Sequence, residues 1–101
     1  MAKLLDQQAE RLKALGHPSR LGALRLVVRG AAAGTAAGEI QSALKIPAST
    51  LSHHLDALAS VGLLIPEREG TFIRYRADFK ELRKLTDYLW QDCCGGGKSC
   101  C

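Results

Sequence analysis

The side chains with the most reactive chemistry in this 101-residue chain are its four cysteines, which all lie within the last nine positions. Cys93 and Cys94 are adjacent, and Cys100 and Cys101 follow a spacer that contains three glycines. A disulfide framework would distribute its cysteines over the fold that it cross-links. A cluster at one end is instead typical of a site for a soft metal or metalloid, or of a redox pair.

A second set of side chains, able to form hydrogen bonds with a partner, follows one face of a helix predicted over residues 48–61. Ser49, Ser52 and His53 recur opposite a stripe of leucines, with Thr50 beside them. Small hydroxyls and an imidazole can reach base edges and phosphates in a major groove. We therefore predict that these four residues contact DNA. His54 lies at the edge of the apolar face, where a half-buried structural histidine is expected.

The charges support a polyanionic partner. Fourteen Lys and Arg residues against ten Asp and Glu give a net charge of +4. Five basic residues and no acid lie between Glu10 and Glu39: Arg11, Lys13, Arg20, Arg25 and Arg29. Arg68, Arg74 and Arg76 flank a short β-like stretch, where they could grip phosphates. The alternative is an ordinary solvated surface, on which each arginine pairs with a nearby glutamate.

The spacing of apolar residues predicts the elements that must position these side chains. Thr35 is expected to cap a short third helix, and Gly62 to end the fourth helix in a left-handed conformation. The predicted helices cover residues 3–15, 18–29, a short stretch after Thr35, 48–61 and 79–91. The predicted strands cover residues 63–65 and 71–76, with a connection over 66–70. Two short helices, a tight turn and a hairpin outline a winged helix-turn-helix, so the predicted fold class is mostly α with a β-hairpin wing.

Length and composition exclude several classes of protein. No run approaches 18 consecutive apolar residues, so a membrane span is excluded, and the first residues lack the apolar region of a secretory signal. We expect a soluble cytoplasmic protein. So small and leucine-rich a domain favours sharing apolar surface in a dimer. A dithiol enzyme is disfavoured because no helix N-terminus is predicted to activate the thiols.

Three segments resemble the ArsR/SmtB family of metalloregulatory repressors: LGHPSRL at 15–21, STLSHHL at 49–55 and GLL at 62–64. The resemblance extends from about residue 5 to residue 91. It implies a homodimer built on the first and last helices, binding to operator DNA without metal, and release when metal binds. Two positions depart from the family pattern, because Pro47 replaces the usual small polar cap and His17 stands where an acidic residue is common.

The resemblance also restricts where an inducer could bind. Residues 36–39 contain no cysteine and residues 79–91 contain no histidine, so two site types of the family are missing. The tail is similar to the C-terminal cysteine site of arsenite-responsive members. That similarity implies As(III) as the inducer, with Cys93, Cys94 and Cys100 as ligands and Cys101 as a spare or alternate donor. The chain then divides into a DNA-binding and dimerisation domain, residues 1–91, and a cysteine-rich tail, residues 92–101.

Other chemistry of the same tail stays open. Sb(III), cadmium or zinc could take the thiolates, although two Cys-Cys pairs give poor tetrahedral geometry within one chain. Oxidation or persulfidation of neighbouring thiols is a further possibility. A thiol-redox enzyme is the least favoured alternative.

Overall fold

The fold is that of a computed structural model, which describes residues 2–92. The elements follow one another as α1 (Ala2–Leu15), α2 (Pro18–Arg29), β1 (Thr35–Ala36), α3 (Ala37–Leu44), α4 (Ala48–Ser60), β2 (Leu64–Glu69), β3 (Phe72–Ala77) and α5 (Phe79–Trp90). The predicted mostly helical fold with a hairpin wing is confirmed. Among the described residues, no helix is both long and apolar enough to cross a lipid bilayer. The domain division at residue 92 stays a prediction, because residues 93–101 lie outside the described part.

The helix-turn-helix consists of α3, a three-residue turn and α4. Lys45 ends α3 in a left-handed conformation (φ 55°), and Pro47 precedes α4 with an extended backbone. The inner face of α4 buries Leu51, Leu55 and Leu58, which are at most 2% exposed. Burial of each such side chain contributes roughly 1.5–3 kcal/mol relative to exposure. This packing holds the opposite, polar face of α4 towards the outside.

The end of α4 confirms the predicted role of Gly62. Gly62 has φ 81°, and its N–H donates to the Ala59 carbonyl at 3.0 Å. The N–H of Leu63 donates to the Leu58 carbonyl at 3.1 Å. These two bonds form a Schellman motif, which favours glycine because a left-handed residue without Cβ carries no steric penalty. The chain therefore leaves the helix directly into the first strand of the wing.

The sheet has three antiparallel strands in the order β1-β3-β2, one more than predicted. Thr35 was predicted to cap α3, and this is wrong. Thr35 lies in β1, where it pairs with Tyr75 of β3. Ala36 is the N-cap of α3 and makes no side-chain hydrogen bond. The predicted connection over 66–70 is also wrong, because β2 continues to Glu69 and only residues 70–71 turn. Pro66 is tolerated within β2 because that strand lies at the edge of the sheet.

Helices α1 and α5 pack against each other with an unusual distribution of side chains. In α1, Gln8 and Arg11 are buried, at 1% and 2% exposure, whereas Leu4, Leu5 and Leu12 are 42–55% exposed. The prediction that Arg11 belongs to a basic surface facing a polyanion is therefore wrong. Exposed leucines beside buried polar residues indicate that this face of α1 is suited to contact apolar surface outside one copy of the chain.

Candidate nucleic-acid interface

The outward face of α4 carries the side chains predicted to contact DNA. Ser49, Thr50, Ser52 and His53 are all exposed, opposite the leucines that anchor the helix. They lie in the first two turns of α4, directly after Pro47. A helix anchored on one side can present such a face to a major groove, which is wide enough to admit an α-helix.

His54 attaches α4 to α2. It is 6% exposed, and its Nδ1 accepts a hydrogen bond from Arg20 Nε at 3.0 Å. The ring centroid of His17 is 4.5 Å from that of His54, and His17 Nδ1 caps α2 by accepting from the N–H of Ser19. The expected structural histidine is confirmed, with deeper burial than predicted. Its partner Arg20 had been counted among the surface basic residues, and no local pattern connects the two positions.

The surroundings of His54 favour its neutral form. Burial lowers its pKa below the usual value of 6.5, and the positive charge that His17, Arg20 and His53 can carry lowers it further. A neutral ring is also what the hydrogen bond requires, because Nδ1 can accept from Arg20 only while it is unprotonated.

We predict that acidification weakens the fold through His54. The unfolded chain takes up a proton near pH 6.5 that the folded chain resists, so stability present above that pH is lost as the pH falls below it. Between pH 7.5 and 5.5 the free energy of unfolding should fall by up to about 1.4 kcal/mol, the value for one proton over one pH unit. Urea denaturation at both pH values measures it. His54→Gln should remove most of the loss, and the matched variant of the neighbouring histidine, His53→Gln, should keep it. An equal loss of unfolding free energy between the two pH values in both variants would contradict the assignment of this pH dependence to His54.

The wing arginines do not form one group. Arg74 Nε lies 2.6 Å from Glu69 Oε1, and Arg76 Nε lies 3.0 Å from Glu67 Oε1. These are the glutamate pairs given above as the alternative to phosphate contact. Both arginines are about 40% exposed, so each ion pair is worth at most about 1 kcal/mol and can be exchanged for a phosphate. Arg68 is exposed and lies opposite Ile73 in the ladder, which places it on the other face of the hairpin.

Metal-binding side chains are not brought together in the part of the chain that the structure describes. Over residues 2–92, no group of three His, Cys, Asp or Glu residues could hold a metal ion. The three histidines are neighbours, but the Arg20 guanidinium is bonded to the central ring. The predicted ligands Cys93, Cys94 and Cys100, and the alternate donor Cys101, lie outside the described residues.

Known proteins are similar to this chain in both sequence and fold. A family model described as a helix-turn-helix domain matches residues 15–67. An uncharacterised helix-turn-helix transcriptional regulator of Methanocaldococcus jannaschii, MJ1325, is 37% identical over 87 residues, covering 83% of this chain and 96% of its own. The winged helix-turn-helix domain Mb0332 of Mycobacterium bovis, solved as a homodimer and described as a possible ArsR-family transcriptional regulator, is 34% identical. It superposes with a TM-score of 0.71 over 95% of this chain and 89% of its own.

The chain belongs to the ArsR family of helix-turn-helix transcriptional regulators. Another solved structure, of a possible transcriptional regulator for arsenical resistance, is 27% identical with a TM-score of 0.70, covering 82% of this chain and 86% of its own. The members of this family bind DNA and are not enzymes, in agreement with the prediction. The matched region contains α2, α3 and α4, so the exposed face of α4 lies within the segment that defines the family.

Proposed function

We propose that this ArsR-family regulator represses transcription by binding operator DNA as a homodimer, and that As(III) bound by its C-terminal thiolates releases it. The observation that carries the DNA-binding half is the exposed face of α4, where Ser49, Thr50, Ser52 and His53 stand opposite the buried leucines. These side chains read base edges, while Arg68 and the exchangeable pairs of Arg74 and Arg76 supply phosphate contacts. Each phosphate that the wing neutralises steepens the salt dependence of binding.

Exposed apolar residues on α1 and α5 support the homodimer. Leu4 and Trp90 line one groove between the two helices, and Leu5 and Leu89 are 55% and 58% exposed. Surface of this kind on a small domain marks an interaction site. The Mycobacterium bovis relative, with the same fold, is a homodimer. A twofold arrangement on α1 and α5 would present two copies of α4 to half-sites about one helical turn of DNA apart.

The inducer half of the proposal depends on the donor set of the tail. All four cysteines of the chain are at positions 93, 94, 100 and 101, and residues 2–92 offer no alternative group of metal ligands. Thiolates are the ligands that soft ions take, so Cys93, Cys94 and Cys100 suit As(III) in type and number. A relative of similar fold is a possible regulator for arsenical resistance. Coupling of about 1–3 kcal/mol between the two sites would weaken operator binding 5- to 150-fold.

Serine variants of the tail test the proposal. Cys93→Ser and Cys94→Ser should bind operator with unchanged affinity but should no longer be released by arsenite, because a hydroxyl is a poor ligand for a soft ion. Cys101→Ser is the matched control and should be released like the wild type. Fluorescence anisotropy of a labelled operator duplex, titrated with arsenite under reducing conditions, measures both quantities.

Two outcomes would contradict the proposal. Loss of operator binding in Cys93→Ser would mean that the thiol supports the DNA-binding state. A wild-type complex that survives arsenite but dissociates with Sb(III), zinc, cadmium or an oxidant would assign the tail to that other signal.

A further inference from the structure

A buried guanidinium connects three helices behind the DNA-binding face. Arg11, in the middle of α1, is 2% exposed. Its Nε donates to the Val61 carbonyl at 2.8 Å, and one terminal nitrogen forms an ion pair with Glu81 Oε1 at 2.7 Å. The other terminal nitrogen lies 3.4 Å from the Glu81 carbonyl and from Gln8 Oε1. Val61 caps α4 and Glu81 lies in the first turn of α5, so one side chain spans α1, α4 and α5.

The end of α4 is fitted to this side chain. The last carbonyls of a helix have no partner within the helix, and a cationic donor is favoured there by the helix dipole. A Cβ atom on Gly62 would lie 3.1 Å from a terminal nitrogen of Arg11, tighter than most real contacts. The glycine that forms the Schellman turn therefore also leaves the space through which Arg11 reaches α4.

Contacts with neighbouring residues at the start of α5 hold the Glu81 side chain in position. Its N–H donates to the side chain of Asp78, the N-cap, and its second carboxylate oxygen lies 3.1 Å from Lys84 Nζ. The hydrogen bond from Arg11, followed by that from Lys84, lowers the pKa of this carboxyl below its usual value. The carboxylate is therefore ionised at neutral pH, and its position is tied to the first turn of α5.

One buried donor in the same network is unpaired. Gln8 is 1% exposed, and its Nε2 has no hydrogen-bond partner among the described residues. An unpaired buried donor costs free energy, so a displacement that gives it an acceptor is favoured relative to one that does not. The hydrogen bonds around Arg11 and Glu81 are therefore not all satisfied in this arrangement.

We propose that the Arg11–Glu81 pair is a positioning contact that holds the end of α4 against α1 and α5, and that inducer binding in the tail lowers operator affinity by altering it. Neither residue lies on the exposed face of α4. Cys93 follows the end of α5 after only Gln91 and Asp92, so a ligand of this thiol acts first on α5. A rigid helix transmits displacement along its length, and Glu81 passes it to Arg11 and the α4 cap. The release step of this inference rests on the arsenite response proposed above.

The test uses the full chain, an operator duplex and arsenite. Glu81→Gln removes the charge of the pair but keeps its shape. The double variant Arg11→Met with Glu81→Leu removes the contact without leaving a buried charge unpaired, so it protects the test against a single variant that does not fold. Arg83→Gln is the matched control, because it breaks an exposed ion pair with Asp87 on the same helix.

Both contact variants should bind operator at least about 5-fold more weakly than wild type without arsenite, and arsenite should then weaken binding less than about 2-fold. Arsenite should still bind to both variants, as followed by the fluorescence of Trp90, with an affinity no lower than for the wild type, because coupling between two sites is reciprocal. In the wild type, arsenite should speed amide hydrogen exchange near Gly62, and in the variants it should not.

If arsenite weakens operator binding by both contact variants as many-fold as it does for the wild type, the inference is overturned and the arsenite proposal stands. A wild-type complex that arsenite does not release would overturn the arsenite proposal, and the release step of the inference with it. Unchanged operator affinity of the contact variants without arsenite would overturn the positioning role by itself. Arg83→Gln should match the wild type in every measurement, and weak binding by this control would count against a specific role for Arg11 and Glu81.

Discussion

Replacing Leu5 and Leu89 together by glutamate should produce a monomer that binds an operator duplex roughly 100- to 10,000-fold more weakly than the wild type. Both leucines are more than half exposed, on the two helices that we propose form the dimer. In the proposed dimer, the second copy of α4 binds as an intramolecular event at high effective concentration. Carboxylates at the interface would be desolvated without partners, which is strongly unfavourable. The variant would then have to bind each half-site independently.

Sedimentation equilibrium and operator anisotropy measure the two parts of this result. Leu21→Glu is the matched control for the oligomeric state, because Leu21 is 48% exposed but lies on α2. It should remain dimeric. A dimeric Leu5→Glu, Leu89→Glu protein would place the interface elsewhere. A monomer that kept full operator affinity would contradict the need for two copies of α4.

The helix-turn-helix could be predicted from local pattern, because each signal lies within a few residues. The leucine spacing of α4 fixed its buried face, and Gly62 fixed its end, since few residues other than glycine favour a left-handed cap. Strand β1 was missed because Thr35–Ala36 is too short to show alternation. It exists because β3 offers it a partner edge, which is a tertiary effect.

The buried ion pair could not be predicted because its members are far apart in sequence. Arg11 and Glu81 are 70 residues apart, and Arg20 and His54 are 34 apart. The charge pattern therefore assigned Arg11 and Arg20 to a basic surface. In the structure both side chains donate hydrogen bonds to α4 or its C-cap, Arg11 to the Val61 carbonyl and Arg20 to His54. A signal was present in α1, where Gln8 and Arg11 share one face at spacing three.

For the candidate DNA-contacting residues, the sequence predicted correctly that each side chain is at least partly exposed, but it predicted less well which of them share one surface. The hydroxyls and His53 of α4 lie together because one helix carries them. Arg74 and Arg76 share a face by strand alternation, but the register places Arg68 on the other. Because Arg74 and Arg76 pair with glutamates, DNA phosphates must compete with those carboxylates for the two arginines. We therefore expect the base-reading part of the interface to depend chiefly on α4.

Replacing Ser52 and His53 together by alanine should weaken specific operator binding by roughly 30-fold or more, because each base-reading contact is worth about 1–3 kcal/mol. Binding to unrelated duplex should change little, since it depends on phosphate contacts and counterion release. Both side chains are exposed, so the free energy of unfolding should be nearly unchanged. The ratio of specific to nonspecific affinity is the quantity to measure, at fixed salt.

Ser60→Ala provides the matched control on the same helix. Ser60 is exposed and lies eight residues beyond Ser52, about 12 Å along the helix axis, where its hydroxyl donates to the Ala57 carbonyl. It should leave the ratio unchanged. Equal losses on specific and unrelated DNA for Ser52→Ala, His53→Ala would mean that these side chains contact phosphates. A change in the ratio only would assign the reading of sequence to this face of α4, because phosphate contacts carry no sequence information.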